Sequence, residues 1–188
     1  DKTLIVVSAT GKTTNSLEKV VKHYIEKSEN LKKSIADVLM DHMEIIKDLF
    51  EDNSKLVSTI INDLVKKLEN FLNTNKSENY NFIYDQVVSF GELFSSNIIN
   101  EYLNFVGIKS ELLDARICIK TDNYYRDANL NWEFTQKKMI NHIKPKKLYV
   151  TQGFIGSDNN NFTTTLGREG SDYSAAIFGY ILNANEVT

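Results

Sequence analysis

The sequence predicts an α/β layered fold with a largely helical excursion, on three observations. Leu4-Ile5-Val6-Val7 is a continuous apolar run followed by small residues and glycine, the pattern of a parallel-type central strand buried on both faces. Between Leu17 and Val106 apolar residues recur at three- and four-residue spacing, the period of amphipathic helices. Beyond that stretch, Ser110 to Ala115 and Lys147 to Phe154 read as strands with a helical segment between them, and such alternation belongs to layered α/β architectures.

The elements follow in order. Asn15-Ser16-Leu17-Glu18 has N-cap and N3 chemistry, so a first helix is expected there, with Leu17, Val20, Val21, Tyr24 and Ile25 on one face. Ile35, Val38, Leu39, His42, Ile45, Ile46 and Leu49 repeat the spacing, as do Leu56, Ile60, Ile61, Leu64, Leu68 and Leu72 after the Asp52-Asn53 break. Asn73 to Asn81 is polar and reads as a surface connection, and Ile83 to Val106 is helical with an interruption at Gly91. Trp132 to Ile143 is a helix closed by Pro145, the only proline. The turn cluster Ser157 to Asn161 between Phe154-Ile155 and Phe162 to Leu166 predicts a hairpin. Ser171 to Asn183 closes the chain as a helix facing inward through Tyr173, Ala176, Ile177, Tyr180 and Ile181.

Composition disfavours several classes of function. With 188 residues, 22 Lys+Arg against 25 Asp+Glu and a net charge of -3, one or at most two domains fit, and no basic stripe is available for nucleic acid. A single cysteine, Cys118, makes neither an internal disulfide nor a thiolate cage, so a reducing, cytoplasmic compartment is expected. No apolar run is long enough to span a membrane. The chain begins at Asp1 on a strand and stops at Val187-Thr188 as another strand begins, which reads as a piece of something longer.

Two loops and one helix turn could hold chemistry. Ser8 to Asn15 contains Gly11-Lys12-Thr13 between a strand and a helix, but the glycine that a phosphate loop needs further upstream is Val6. What remains is a helix start at which Ser8, Thr13, Thr14 and backbone N–H groups hold an anion, or simply a capped turn. Thr163 to Asp172 joins a strand end, a loop bounded by Gly167 and Gly170, and a helix start. Arg168 there suits a carboxylate or phosphate, or pairs at the surface with Glu169 or Asp172; Ser171 and Asp172 are equally consistent with a cap and a first-turn acid. Glu92, after Gly91, either faces inward to meet an ammonium group or lies solvated on its helix. His42 and Cys118 read as packed core residues, and His23 and His142 as exposed.

Val6 to Asn15, Ser89 to Ser96, Val150 to Gly156, and Thr163 to Asp172 with Tyr173-Ser174-Ala175-Ala176, in that order, resemble the aspartokinases of the amino-acid kinase family. The resemblance covers nearly the whole chain, including Leu113-Asp114-Ala115-Arg116 and Thr121-Asp122, and is loosest at Asn73 to Asn81. It implies a three-layer αβα sandwich, of which residues 1–188 form a partial kinase domain. An N-terminal strand with the essential lysine, a C-terminal nucleotide segment and regulatory domains would lie outside these residues.

The implied reaction moves the γ-phosphoryl group of ATP, with Mg²⁺, to the side-chain carboxylate of L-aspartate, the first step toward lysine, threonine and methionine. The resemblance assigns Glu92 to the substrate ammonium, Arg168 to a carboxylate, and Ser8 and Thr14 to aspartate. Asp172 would organise the catalytic lysine, Ser171 would sit beside the acceptor, and Gly11, Gly170 and Ser171 would face the nucleotide. Glu169 departs from the glycine of many relatives. A homo-oligomer is implied, with no nucleic-acid or membrane partner. Lys12 is not expected to replace the missing lysine, so the isolated chain would bind ATP poorly and not turn over. The rivals are a kinase for another acidic amino acid, glutamate or N-acetylglutamate, and a non-catalytic module docking through the helices from Leu17 to Leu72.

Overall fold

The computed structural model describes residues 3–144, 147–167 and 170–188. Three parallel strands form the sheet: β1 (Thr3–Val7), β2 (Ser110–Leu113) and β3 (Leu148–Gln152), in the order β1-β3-β2. The register places Val6 and Leu113 on either side of Thr151. Parallel pairing is as expected, but the central position belongs to β3, whose Tyr149 to Gln152 are all buried. Leu4, Ile5 and Val6 are half-buried because β1 has only one strand neighbour among the described residues.

The excursion between β1 and β2 consists of α1 (Thr13–Ile25), α2 (Leu31–Phe50), α3 (Lys55–Thr74), α4 (Tyr80–Val88) and α5 (Phe90–Phe105). Helix α1 starts two residues before the expected cap. The turn is closed by Thr13, whose N–H and hydroxyl both donate to Thr10 O, at 3.1 and 2.7 Å, and no side chain caps the helix. Leu17, Val20 and Val21 are buried, whereas Ile25 at the helix end is exposed. Helix α2 buries Ile35, Val38, His42, Ile46 and Phe50. Helix α3 buries Val57 and Ile61 and leaves Leu56 exposed, because the short turn Glu51–Asn53, with Glu51 at φ 48°, sets its starting rotation. Asn79 caps α4 by accepting from Asn81 N and Phe82 N. The break before α5 falls at Ser89, and Gly91 lies inside the first turn of α5.

Helix α5 packs on β2 and β3 and against α3 and α2. After β2 comes a short helix that was not anticipated, α6 (Ala115–Cys118), where Asp114 accepts from Arg116 N at 3.0 Å. Helix α7 (Trp132–His142) is as expected, while Pro145 lies outside the described residues. The hairpin of β4 (Ile155–Ser157) and β5 (Thr163–Thr165) is antiparallel, its turn closed by the N–H groups of Asn160 and Phe162 on the Asp158 carboxylate. Helix α8 (Gly170–Ile181) packs on β1 and buries Ser174, Ile177 and Phe178. Ala176 and Tyr180 of the expected inward row are exposed, since β1 meets the adjacent face.

His42 and Cys118 belong to the core, and His142 is exposed, as expected. His23 is half-buried instead, its Nδ1 3.2 Å from Ser34 Oγ across the packed pair α1 and α2. No helix among the described residues is long and apolar enough to cross a membrane.

Candidate active site at the strand ends

β1 and β3 end side by side, joined by Gly153 N donating to Val7 O at 2.8 Å. Each strand then leaves the sheet in a loop, which is where ligands bind in open parallel sheets. Helix α5 starts beneath the loop that follows β1. A Cβ on Gly91 would lie 2.8 Å from Ala9 Cβ, so only glycine lets the loop settle there. Ser95 Oγ then donates to Ser8 O at 2.7 Å, and Ala9 N donates to Glu92 Oε1 at 3.2 Å.

The start of α8 closes over the same point. Ser8 Oγ donates to Ser171 Oγ at 2.6 Å. A Cβ on Gly153 would lie 2.5 Å from both Cβ and Oγ of Ser171. Phe154, at φ 64°, donates its N–H to Ser174 Oγ at 2.8 Å and turns the chain into the hairpin. The N-termini of α1, α5 and α8 therefore gather at the strand ends, and neither α1 nor α5 has a side-chain cap. Helix N-termini bring N–H donors and partial positive charge, the ordinary means of holding an anion.

Glu92 sits among these helix starts and is 4% exposed, so its inward orientation holds and the solvated alternative does not. Its Oε1 accepts from Ala9, but Oε2 is buried without a partner. Burial pushes the carboxyl up to about 7, against the opposing pull of its own N–H and that of Ala9. An acceptor oxygen left dry in this way is costly unless a donor reaches it.

The sites expected from sequence fall unevenly around this point. Ser8, Glu92 and Ser171 come together, and Thr14 is half-buried in the first turn of α1. Gly11, at φ 56°, lies in open space on the exposed loop, and Lys12 beside it is exposed. Gly170 begins α8 at φ 48°, and Asp172 is exposed in its first turn. Arg168 and Glu169 lie outside the described residues.

Sequence reasoning missed Asp85. It is fully buried and accepts from Arg126 N at 3.0 and 3.1 Å, and from Thr165 N and Oγ1 at 2.9 and 2.8 Å. Burial raises its carboxyl to about 6 against those donors. This one carboxylate fastens α4 both to the Tyr124–Asp127 loop and to β5, which leads into Leu166 and Gly167. These segments, with Tyr173, line a cleft of about 580 Å³. The available signal was an acid flanked by apolar residues in Ile83-Tyr84-Asp85-Gln86-Val87 on a helix that turns out to be buried.

Helix N-termini gathered over parallel strand ends define an α/β architecture of the kind suited to an anionic ligand. The model of the Amino acid kinase family matches residues 1–188, and the chain belongs to that family. It is 30% identical over 197 residues to bifunctional aspartokinase/homoserine dehydrogenase 2 of Escherichia coli, covering 98% of this chain and 23% of that protein. It is 36% identical over 106 residues to lysine-sensitive aspartokinase 3 of the same organism, covering 55% of this chain and 24% of that protein. Crystal structures of E. coli aspartokinase III, one with lysine and aspartate and one with aspartate and ADP, superpose with a TM-score of 0.88 at 26% identity. The match covers 98% of this chain and 41% of theirs. The chain thus spans about a quarter of the bifunctional relative and about two fifths of the aspartokinase III chain.

Proposed function

We propose that residues 1–188 are part of the kinase domain of an aspartokinase, which phosphorylates the side-chain carboxylate of L-aspartate with ATP. The observation that carries this reading is the buried, unpartnered Oε2 of Glu92 beneath three helix N-termini. A substrate ammonium at Oε2 supplies the missing donor and favours the ionised carboxylate. Ser8, Thr14 and Ser171, with the N–H groups around them, face the anionic parts of aspartate and ATP; Gly11 and Gly170 keep the loops near the nucleotide open. Arg168 is assigned to a substrate carboxylate, and Asp172 to positioning the lysine that neutralises the phosphates.

The acceptor carboxylate, with a pKa of about 4, is already ionised at neutral pH, so no general base is required. One of its oxygens forms a bond to the γ-phosphorus while the bond from that phosphorus to the β,γ-bridging oxygen breaks, leaving ADP with the electron pair. Mg²⁺ bound to the phosphates supplies charge neutralisation. The same reading makes the protein a cytoplasmic homo-oligomer of lysine, threonine and methionine synthesis.

The test is hydroxylamine trapping of the acyl phosphate made by the full-length protein with Mg-ATP and either L-aspartate or L-glutamate. Aspartyl hydroxamate, lost in Arg168→Ala, is expected. Glutamyl hydroxamate alone would move the assignment to the other acidic amino acid, and no product from folded protein with either acid would end the kinase reading.

A further inference from the structure

Away from the strand ends, Lys120 occupies an unusual position. Its backbone is pinned on two sides: Lys120 N donates to Thr135 Oγ1 at 3.0 Å, and a parallel bridge pairs it with Ser157. The residue is only 7% exposed. Its Nζ donates to Ser157 Oγ at 2.6 Å and reaches Asn161 Oδ1 at 3.5 Å, both neutral acceptors. Arg116, Ile117, Lys120, Lys138, Ser157 and Asn161 line a cleft of about 250 Å³.

The neighbouring acids are otherwise engaged. Asp114 is gripped by Arg116, with Nη2 at 2.6 Å and Nε at 2.9 Å. Asp158 takes the N–H groups of Asn160 and Phe162 and the hydroxyl of Tyr125 at 3.1 Å. The ion pairs formed among the described residues include neither Lys120 nor Lys138.

We propose that this cleft binds a tetrahedral oxyanion of the phosphate type, held by Lys120 and Lys138 with the Asn161 amide as a neutral donor and Ser157 orienting the Lys120 ammonium. A buried ammonium facing a second lysine is unfavourable until a counter-charge arrives. Consistent with that, burial and then Lys138 push the Lys120 pKa down, while Asp114 and Asp158 oppose them only in part. Arg116, whose planar fork would select a carboxylate, is already occupied by Asp114. The donors left over are two ammonium groups, which act as point charges and suit phosphate. Asn161 turns its carbonyl toward Lys120, so its amide N–H₂ is available to the ligand. Ser157 Oγ donates to Arg116 O at 2.7 Å, which fixes it as an acceptor for Lys120. None of these residues belongs to the Ser8, Glu92 and Ser171 cluster.

The experiment is calorimetric titration of inorganic phosphate into the full-length protein, with chloride adjusted to hold ionic strength constant. It is repeated on Lys120→Met, Lys138→Gln and, as a control for binding at the strand ends, Ser171→Ala. Saturable binding that weakens about tenfold or more in Lys138→Gln, and is unchanged in Ser171→Ala, is expected. Lys138 is half-exposed, so that variant remains informative even if Lys120→Met destabilises the fold. A glycerol phosphate arm separates a free ion from the phosphate end of a larger ligand; lysine-dependent binding of either supports the site. No saturable binding, equal binding in wild type and Lys138→Gln, or loss only in Ser171→Ala would overturn it.

Discussion

Ala9 N donates to Glu92 Oε1 at 3.2 Å, while the other oxygen of that buried carboxylate meets no donor. The pair is made by a loop folding over Gly91, so the acid is held in place before any ligand arrives. Glu92→Gln keeps the shape and removes the charge. In the full-length protein it should lower kcat/KM for aspartate about 100-fold or more, as expected when a buried charged partner is lost, with the KM for ATP little changed. Equal loss for both substrates would show that Glu92 supports the fold and does not meet the ammonium.

The two raised carboxyls also set a pH dependence. Asp85 at about 6 and Glu92 at about 7 remain protonated in the folded chain where the unfolded chain has already released those protons. Between about pH 4 and 7 the folded state therefore binds more protons, and their contribution to stability falls as pH rises, levelling off above about 7. Each group accounts for on the order of 3 kcal/mol at most. Urea unfolding across this range should show a shallower decline in Glu92→Gln than in wild type; identical profiles would mean that Glu92 ionises normally.

Asp85→Asn should be costly for a different reason. The donors on Asp85 come from Arg126 N, Thr165 N and Thr165 Oγ1, and an amide offers one acceptor oxygen and turns an N–H₂ toward the rest. The expected loss is about 2–4 kcal/mol in urea denaturation. Proteolysis should cut the Tyr124–Asp127 loop faster than in wild type, and an unchanged cleavage rate would separate Asp85 from that loop.

The parts of this fold legible in the sequence are those set by local period and turn chemistry. The β1 run, the long helices and the Asp158 turn depend on neighbours within a few residues. Rotation about a helix axis was harder: Leu56 and Val57 are both apolar, and the turn at Glu51 decides which is buried. The same applies to α8, where contact with β1 favours Ile177 and Phe178 over Tyr180. Ser8, Glu92 and Ser171 were singled out one loop at a time, and only their family resemblance suggested that they meet. The contacts that join them span 83 and 163 residues of sequence, and no periodicity reports such a distance. Asp85 was missed for that reason, since its partners lie 41 and 80 residues away.

Lys12 separates the present reading from a phosphate loop. It is exposed, beside a Gly11 that touches nothing within 4 Å where a Cβ would stand. Lys12→Ala should leave the Kd for ATP within about twofold, less than the 1.4 kcal/mol that a tenfold change represents. Loss of nucleotide binding in equilibrium titration would restore the phosphate-loop interpretation.

Gly153→Ala tests whether the approach of α8 to β3 matters for the chemistry. The new methyl would lie 2.5 Å from Ser171 Cβ and 2.8 Å from Ser171 Cα, so rotation of the serine side chain cannot relieve the clash. The start of α8 has to move, and the Ser8 to Ser171 hydrogen bond goes with it. Overpacking of this kind costs about 1–3 kcal/mol. At about 2–4 °C per kcal/mol for a chain of this size, the melting temperature should fall by roughly 2–12 °C. Gly107→Ala is the matched control, because it strains a positive φ of 86° in open space, displaces no neighbour and lies beyond α5, outside the proposed site. If Ser171 stands at the reacting centre, Gly153→Ala should lose about tenfold or more in kcat/KM, in line with the cost of misplacing a catalytic contact, while Gly107→Ala loses stability alone. Full activity in a folded Gly153→Ala protein would remove Ser171 from the site.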